Sequence, residues 1–393
     1  FSKRRSEKIN LDHLGPLISN SVKRCTLSDT PLALFLSGGL DSSLVGYFLK
    51  KEVSDLKSLN MSLKEKSYDE TPFAKRAASI LKTRHLTFEF DDSNFDEKII
   101  SLYGRLDAPN GDSGLIPFWL LSQKMAQEFK VAVGGDGGDE IFFGYDTHLA
   151  FYVMDLLSKC SPLAAIGKTL LGGLSARWPR VSRKRLPLGL KFQRLARSLS
   201  YPRPYFAALL MASLDTDEIN QLLGQHFRSE EIFSEALTLW EETDSPCDED
   251  RFNSYYLHLY LPGKVLAKVD RASMLKGLEV RSPLLDKNLF EYCSPLSPRP
   301  FHEGWQGKPP LRKLAARFID RKVARKPKRG FGFPVSNVVE RPLIAERIRS
   351  LRDVDGDFLN VLAKKHAERK GDYGQALWNG FVLSFFDSPP FQT

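Results

Sequence analysis

Residues 34–43 read Leu-Phe-Leu-Ser-Gly-Gly-Leu-Asp-Ser-Ser, and this stretch decides the fold. The apolar run Leu32–Leu36 predicts a buried parallel strand, and Asp41 opens an amphipathic helix. A glycine-rich turn between strand and helix lets backbone amides approach an anion closely, and the helix N-terminus adds a favourable dipole. Because Asp41 alone would repel an anion, its presence suggests a divalent cation between the carboxylate and phosphate oxygens. The plain alternative is a capped helix after a tight turn.

The turn resembles the pyrophosphate-binding loop of the ATP-pyrophosphatase group, which cleaves ATP to AMP and pyrophosphate. Two other nucleotide-binding motifs are absent from the sequence: Gly-x-x-x-x-Gly-Lys-Ser/Thr and Gly-x-Gly-x-x-Gly. The P-loop and dinucleotide-binding classes are therefore not indicated.

A second glycine-rich turn, residues 134–140, reads Gly-Gly-Asp-Gly-Gly-Asp-Glu and again follows a predicted strand. Two such turns on neighbouring parallel strands would face a common cleft. Asp41 and Asp139 could there share Mg²⁺ bound to the triphosphate of ATP, and Asp136 could act on an incoming amine. The alternative for Asp139 is a charge that complements the helix dipole.

The order of strand and helix signals predicts an α/β fold with a doubly wound parallel sheet, followed by an all-helical C-terminal half. The predicted strands are Leu32–Leu36, Ser58–Leu63, His85–Phe90 and Lys130–Val133. Beyond residue 150 strand signals vanish and helical periodicity dominates. We therefore predict a nucleotide-binding region at 1–150, a helical insertion at 151–250 and a helical region at 251–393 that completes the same site.

Composition excludes several classes of protein. The chain has 393 residues, of which 42% are hydrophobic. The sequence contains no run of about 18 uncharged apolar residues, so we expect no membrane span. The four cysteines show no Cys-x-x-Cys spacing, so we expect a reduced, cytoplasmic protein without structural zinc. The net charge of +9 reflects in part a basic segment at 177–197. We interpret that segment as a solvated surface or a surface that faces an acidic partner chain, and we expect no nucleic-acid partner; a nucleic-acid or polyanion patch is the alternative.

A third notable stretch is residues 325–334, Arg-Lys-Pro-Lys-Arg-Gly-Phe-Gly-Phe-Pro. A basic run of this kind is usually a solvated surface. Its ending places aromatic side chains beside flexible backbone, which favours an ordered loop. A lysine of that loop could reach the cleft and stabilise an oxyanion or the departing phosphates.

Together the three stretches resemble the synthetase domain of the glutamine-dependent asparagine synthetase family, of the ATP-pyrophosphatase (HUP) type. The resemblance covers nearly all of residues 10–385. It implies a carbon–nitrogen ligase that uses ATP and Mg²⁺: a substrate carboxylate attacks the α-phosphate, pyrophosphate leaves, and ammonia or an amine displaces AMP. Further matching segments are 67–70, 260–263, 268–274 and 278–286.

The resemblance also assigns roles to individual residues. Asp136 matches the acidic residue that acts as base on the nucleophile, and Lys328 matches the lysine that stabilises the adenylation transition state. Asp139 matches the Mg²⁺ carboxylate, and Asp41 matches a position of the family's pyrophosphate loop. The positions that match the family's nucleotide site are Leu36, Ser37, Gly38, Gly39, Asp41, Ser42, Met61 and Gly135.

Some positions depart from the family pattern. Asp136 stands where housekeeping asparagine synthetases carry glutamate, Gly134 replaces a serine, and Ala108 replaces a glutamate. Because specificity rests on a few polar groups, the acyl substrate is left open: aspartate, a sugar carboxylate or a peptide side chain. Alternatives are an intramolecular cyclase of the β-lactam synthetase or lasso-peptide cyclase kind, a non-catalytic nucleotide-binding relative, and a tRNA-modifying enzyme.

The family's glutaminase half, with its N-terminal catalytic cysteine, is not among these residues. The chain opens with Phe1 in a polar, basic stretch, and we expect it to be part of a longer polypeptide cut at a linker. A glutaminase domain or chain that supplies ammonia is a candidate partner, and direct use of ammonia or an amine is the alternative. An oligomer is compatible with the sequence.

Overall fold

A computed structural model describes residues 9–158, 169–170, 188–296, 306–327, 330 and 332–387 of the chain. The described residues form two compact units. The first draws on Phe1–Phe90, Gly114–Leu149 and Thr243–Phe331, and the second on Asp91–Ser113, Ala150–Glu242 and Gly332–Thr393. The division into three regions predicted from the sequence stays a prediction.

The first unit contains one sheet, whose five described strands are all parallel to their neighbours. The strands are β1 Leu32–Phe35, β2 Lys57–Ser62, β3 Arg84–Glu89, β4 Val131–Val133 and β5 Glu279–Arg281. Their order across the sheet is β3-β2-β1-β4-β5. Strand order reverses between β1 and β4, and the carboxyl ends at such a point are where open α/β sheets bind ligands.

The predicted α/β fold with a doubly wound parallel sheet is confirmed. In one detail the prediction is wrong, since β5 lies far beyond residue 150, where no strand was expected. Two of its three residues, Glu279 and Arg281, are charged and form an ion pair of 2.7 Å. So short and polar a segment becomes a strand because β4 pairs with it, with Val133 opposite Arg281.

Helices surround this sheet in the first unit. They are α1 Leu11–Cys25, α2 Leu40–Glu52, α3 Thr71–Leu81, α4 Leu115–Met125, α5 Gly138–Ile141, α6 Asp248–Tyr255, α7 Ala267–Met274, α8 Lys287–Cys293, α9 Pro309–Phe318 and α10 Arg321–Ala324. A π-helical segment, Tyr256–Leu266, joins α6 to α7, and a 3₁₀ turn, Pro283–Leu285, follows β5.

The core of the first unit lies between β1 and the helices packed on it. All four residues of β1 are buried, as expected of a strand covered on both faces. Leu34 of β1, Leu44 of α2 and Leu314 of α9 are fully buried in one apolar cluster. These contacts fix the start of α2, and with it the turn that carries Asp41, at the end of β1.

Every regular element in the described part of the second unit is a helix. Its centre is aromatic: the ring of Tyr103 meets the rings of Trp378 and Phe381 edge-on at centroid distances of 5.6 and 5.9 Å. No helix in the described part of either unit is long and apolar enough to cross a membrane. The helices of this unit are Phe95–Tyr103, Asp146–Ser158 from Ala150 onward, Leu188–Ser198, Phe206–Met211, Thr216–Leu223, Ser229–Ile232, Ser234–Glu242, Val335–Val338, Pro342–Arg349, Gly356–Ala367 and Gly374–Leu383.

Candidate functional site

The turn after β1 has a centre that only glycine tolerates. Gly38 has φ of +65°, and a Cβ there would lie 2.2 Å from the carbonyl carbon of Phe73. Ser37 Oγ lies 3.0 Å from Ser42 Oγ and accepts the N–H of Gly39 at 3.2 Å. No side chain caps α2 at Gly39, so the N–H groups of its first turn face the loop in the manner of an anion site.

Gly38→Ala is expected to lower the stability of the first unit by about 3 kcal/mol or more, because the methyl group would overlap the backbone at Phe73. Gly277→Ala is the matched control. Gly277 also has φ of +65°, but among the described residues nothing lies within 4 Å of its Cβ position. The control should lose only about 1 kcal/mol, the cost of the left-handed backbone. Urea-induced unfolding measures both, and equal losses would contradict the steric account.

The turn after β4 packs directly on the turn after β1. A Cβ at Gly135 would lie 2.8 Å from the backbone nitrogen of Ser42, and one at Gly138 would lie 2.9 Å from Cγ of Asp41. The sequence therefore needs glycine at both positions for the two turns to meet. This contact brings Asp41 and Asp139 to one place at the carboxyl end of the sheet.

A buried lysine lies between these two carboxylates. Lys308 Nζ is 2.5 Å from Asp41 Oδ2 and 2.6 Å from Asp139 Oδ1, and its side chain is 4% exposed. Lys308 was not predicted as a site residue from the sequence. Its sequence context could have indicated it, because Lys308 lies between Gly307 and the two prolines that begin α9. A lysine on a solvated surface does not need neighbours that restrict the backbone in this way.

Lys326, from the third stretch noted in the sequence, contacts the first turn. Its Nζ lies 2.9 Å from Glu70 Oε1, 3.4 Å from the carbonyl oxygen of Ser37 and 4.5 Å from the ring centroid of Phe73. Arg312 Nη1 donates a hydrogen bond to the carbonyl oxygen of Lys326 at 3.0 Å, which holds the backbone of Lys326 in place. Lys326 thus has a defined position at the start of the basic stretch, whereas Lys328 lies outside the described residues, and the predicted order of the loop stays a prediction.

Lys326→Met and Glu70→Gln are each expected to lower stability by about 3–5 kcal/mol, because each leaves one charge buried without its partner. The side chains of Lys326 and Glu70 are 2% and 10% exposed. The double variant should recover part of the loss, and urea unfolding of all four proteins gives the coupling energy. Lys57, in a more exposed pair with Glu128, is the control, and Lys57→Met should cost less than about 1 kcal/mol. Additive losses at Lys326 and Glu70 would contradict a buried pair.

Asp136 lies in the turn after β4 and is partly buried. Burial raises the pKa of its carboxyl group, and the charges of Asp41 and Asp139 act in the same direction. The ammonium of Lys268 opposes this rise in pKa. Lys268, on α7, is itself buried and was not singled out from the sequence. A carboxylate with a raised pKa is a stronger base, which suits transfer of a proton from an amine.

Glu140, next to Asp139, belongs to a separate polar network. Its carboxylate accepts the hydroxyl proton of Tyr145, and its backbone carbonyl accepts Asn253 Nδ2 at 3.1 Å. His148 Nε2 lies 2.8 Å from Asn253 Oδ1. Burial and the neighbouring Asp139 raise the pKa of Glu140 to about 7. This network anchors the short helix α5 that presents Asp139.

Leu36 and Met61 lie at the ends of β1 and β2. The N–H of Leu36 donates to the carbonyl oxygen of Leu59 at 2.9 Å, which continues the pairing of the two strands. Met61 pairs in register with Phe88 of β3. Both side chains are almost fully buried, with 1% and 5% exposure. They are buried apolar residues at the carboxyl end of the sheet.

The carboxylates fit a magnesium ion that is bound together with phosphates. Among the described residues no three His, Cys, Asp or Glu side chains are grouped to hold a metal by themselves. Asp41 and Asp139 nevertheless both contact one cationic group, the ammonium of Lys308. Asp41 Oδ1 has no hydrogen-bond partner in the described part of the chain. Mg²⁺ characteristically takes one or two carboxylates and completes its shell with substrate phosphates and water.

Part of the basic segment at 177–197 can be located, from residue 188 onward. Arg194 and Arg197 donate to backbone carbonyls at the end of the helix Phe206–Met211 and just beyond it, at 2.9–3.3 Å. Burial lowers the pKa of Arg194 to about 10. These two arginines cap a neighbouring helix, which is a structural use of their charge.

The structure thus gathers most of the predicted site residues at one end of the sheet. Ser37, Gly38, Gly39, Asp41 and Ser42 follow β1, and Gly135, Asp136 and Asp139 follow β4. Leu36 and Met61 lie beside them on β1 and β2. Three lysines, Lys268, Lys308 and Lys326, place positive charge beside the carboxylates.

A family model described as asparagine synthase matches residues 13–385 of the chain. The chain is 22% identical over 380 residues to "Asparagine synthetase [glutamine-hydrolyzing] 1" of Bacillus subtilis, covering 94% of this chain and 58% of that protein. It is 38% identical over 145 residues to "Putative asparagine synthetase [glutamine-hydrolyzing] 2" of Methanocaldococcus jannaschii, covering 36% of this chain and 28% of that protein.

Another relative has a different name. "Amidase chyE" of Penicillium rubens is 30% identical over 171 residues, which is 39% of this chain and 25% of that protein. The chain spans 58% or less of the length of each of these three relatives. The similarity to the Bacillus protein extends over nearly the whole of this chain, well beyond the glycine-rich turns.

Proposed function

Because the chain belongs to the asparagine synthase family, we propose that it is an ATP-dependent, AMP-forming amide ligase. It adenylates a substrate carboxylate with release of pyrophosphate and then transfers ammonia or an amine to form an amide. One observation carries the proposal. The two glycine-rich turns meet at the carboxyl ends of β1 and β4, and there Asp41 and Asp139 both contact the ammonium of Lys308.

The turn after β1 is the proposed phosphate site. Its first-turn amides and the hydroxyls of Ser37 and Ser42 offer hydrogen-bond donors to pyrophosphate oxygens. Asp41 and Asp139 would hold Mg²⁺, which supplies positive charge to neutralise the charge that develops on pyrophosphate. We place the base of ATP beside Leu36 and Met61, at the ends of β1 and β2.

Asp136 is the proposed base for the second half of the reaction. Its partly buried carboxylate lies beside these turns, and its raised pKa suits it to accept a proton from the amine. Lys268 limits the cost of keeping that carboxylate charged. Lys328 remains the proposed stabiliser of the adenylation transition state, by the family resemblance of its loop.

The printed names of two relatives specify glutamine hydrolysis, which supports glutamine as the source of nitrogen here. We therefore propose that a glutaminase domain or chain supplies ammonia to this site. We also place the protein in the cytoplasm, since Cys25, Cys247 and Cys293 are free thiols.

The test is pyrophosphate release from Mg-ATP with a panel of carboxylates, including aspartate, sugar acids and peptides, each with and without ammonium. Release that depends on one carboxylate, with AMP and an amide as products, is the expected result. Release without ammonium, with a cyclic product, would instead support the intramolecular cyclase. Nucleotide binding without release from any carboxylate would support a non-catalytic relative.

A further inference from the structure

The ammonium of Lys308 occupies the point on which the two proposed metal carboxylates converge. It contacts oxygens of both Asp41 and Asp139, at 2.5 and 2.6 Å. A divalent cation held by the same two oxygens would lie at or near this point, and two positive charges cannot share it. Lysine and metal are therefore competitors for one position.

The fold places the lysine there by several specific features. Lys308 has φ of +62°, which is uncommon for a residue with a side chain and marks a position over-determined by its surroundings. A Cβ at Gly144 would lie 1.9 Å from Lys308 Cε and 2.2 Å from Asp139 Oδ1. The side chain thus passes over a glycine that leaves room for it. Arg312 Nε donates to the carbonyl oxygen of Gly307 at 2.8 Å and holds the preceding residue.

We infer that Lys308 is a built-in counter-ion that blocks binding of a divalent cation to Asp41 and Asp139 until nucleotide is present. Without nucleotide the ammonium neutralises the two buried carboxylates. When nucleotide binds, its phosphates offer the ammonium a new anionic partner and offer the metal further oxygen ligands. Metal and nucleotide then bind together, and neither carboxylate is left without a positive charge. The inference rests on the proposed function only in placing nucleotide phosphates at this site.

The alternative is that Lys308 is a structural ion pair. In that case its removal would weaken the fold, and the loss would be the same with or without a divalent cation. The two accounts therefore differ in how the lysine-free protein responds to metal alone.

The experiment titrates Mn²⁺ into nucleotide-free protein and follows free Mn²⁺ by electron paramagnetic resonance. We expect wild type to bind weakly and Lys308→Met to bind at least tenfold more tightly. Lys308→Arg keeps the charge and should bind as weakly as wild type. The double variant Lys308→Met with Asp139→Asn should lose the gain. Addition of a non-hydrolysable ATP analogue should tighten Mn²⁺ binding in wild type at least tenfold more than in Lys308→Met.

Thermal unfolding provides a second readout that needs no turnover. Lys308→Met should melt at a lower temperature than wild type in chelator, and Mn²⁺ should restore most of the difference. Lys308→Gly suits the left-handed backbone and should give the same response if the methionine variant fails to fold. Equal Mn²⁺ affinity in wild type and Lys308→Met would overturn the inference, as would failure of both variants to fold with Mn²⁺. Neither readout needs an acyl substrate, so the result stands apart from the ligase test.

Discussion

Asp41→Asn is expected to reduce pyrophosphate release by about a thousandfold, with little change in the fold. The substitution keeps the shape of the side chain and removes the negative charge that contacts Lys308 at 2.5 Å. In the proposed reaction that charge holds the cation against the departing pyrophosphate, and loss of one such electrostatic contact typically costs two to three orders of magnitude, on the order of 10²–10³. Steady-state release at saturating carboxylate measures the effect.

Ser43→Ala is a matched control on the same helix. Ser43 is fully buried two residues from Asp41, and its hydroxyl has no hydrogen-bond partner in the described part of the chain. Its removal should leave pyrophosphate release within about twofold of wild type. If Asp41→Asn retained most of the activity, Asp41 would be excluded from the proposed metal position.

Asp136→Asn is expected to separate the two halves of the reaction. Amide formation should fall by about 10²–10⁴, the usual contribution of a positioned general base. Exchange of labelled pyrophosphate into ATP, which reports adenylation alone, should stay within several-fold of wild type. The pKa of Asp136 is raised by burial, so amide formation in wild type should also rise with pH as this carboxyl group ionises.

Asp136→Glu is the companion variant, because it keeps the carboxylate. It also introduces the glutamate that the family resemblance assigns to this position in housekeeping asparagine synthetases. It should retain more amide formation than Asp136→Asn. A parallel fall of exchange and amide formation in Asp136→Asn would contradict the role of base and would assign Asp136 to nucleotide or metal binding.

The parts of the fold that could be predicted are those with local signals. β1 belongs to the unbroken apolar run Leu32–Leu36, and Ser37, Gly38 and Gly39 follow that run, so strand, turn and helix can be predicted from about ten consecutive residues. The same holds for the turn after β4. Since parallel strands present their carboxyl ends at one edge, the meeting of Asp41 and Asp139 could also be anticipated.

The parts that could not be predicted depend on long-range contacts. β5 is too short and too charged to be recognised as a strand, and it forms because β4 pairs with it. Lys326 occurs in a basic stretch of the kind that usually faces solvent, and Lys308 is a single lysine between Gly307 and Pro309. Only the folded chain shows that both are buried against carboxylates. Charge partners far apart in sequence leave no periodic pattern, so neither lysine could be assigned from spacing.

The residues of this site are far apart in the sequence, which affects how the site forms during folding. Leu32 of β1 pairs with Val131 of β4, and the contact of Asp41 with Lys308 closes a loop of 267 residues. Contacts of such high sequence separation form late, because the entropy of loop closure must be overcome first. During synthesis from the N-terminus, both carboxylates precede their lysine by many residues. Ligand that binds only the completed site stabilises the whole first unit by mass action, so nucleotide acts on folding of that unit as well as on catalysis.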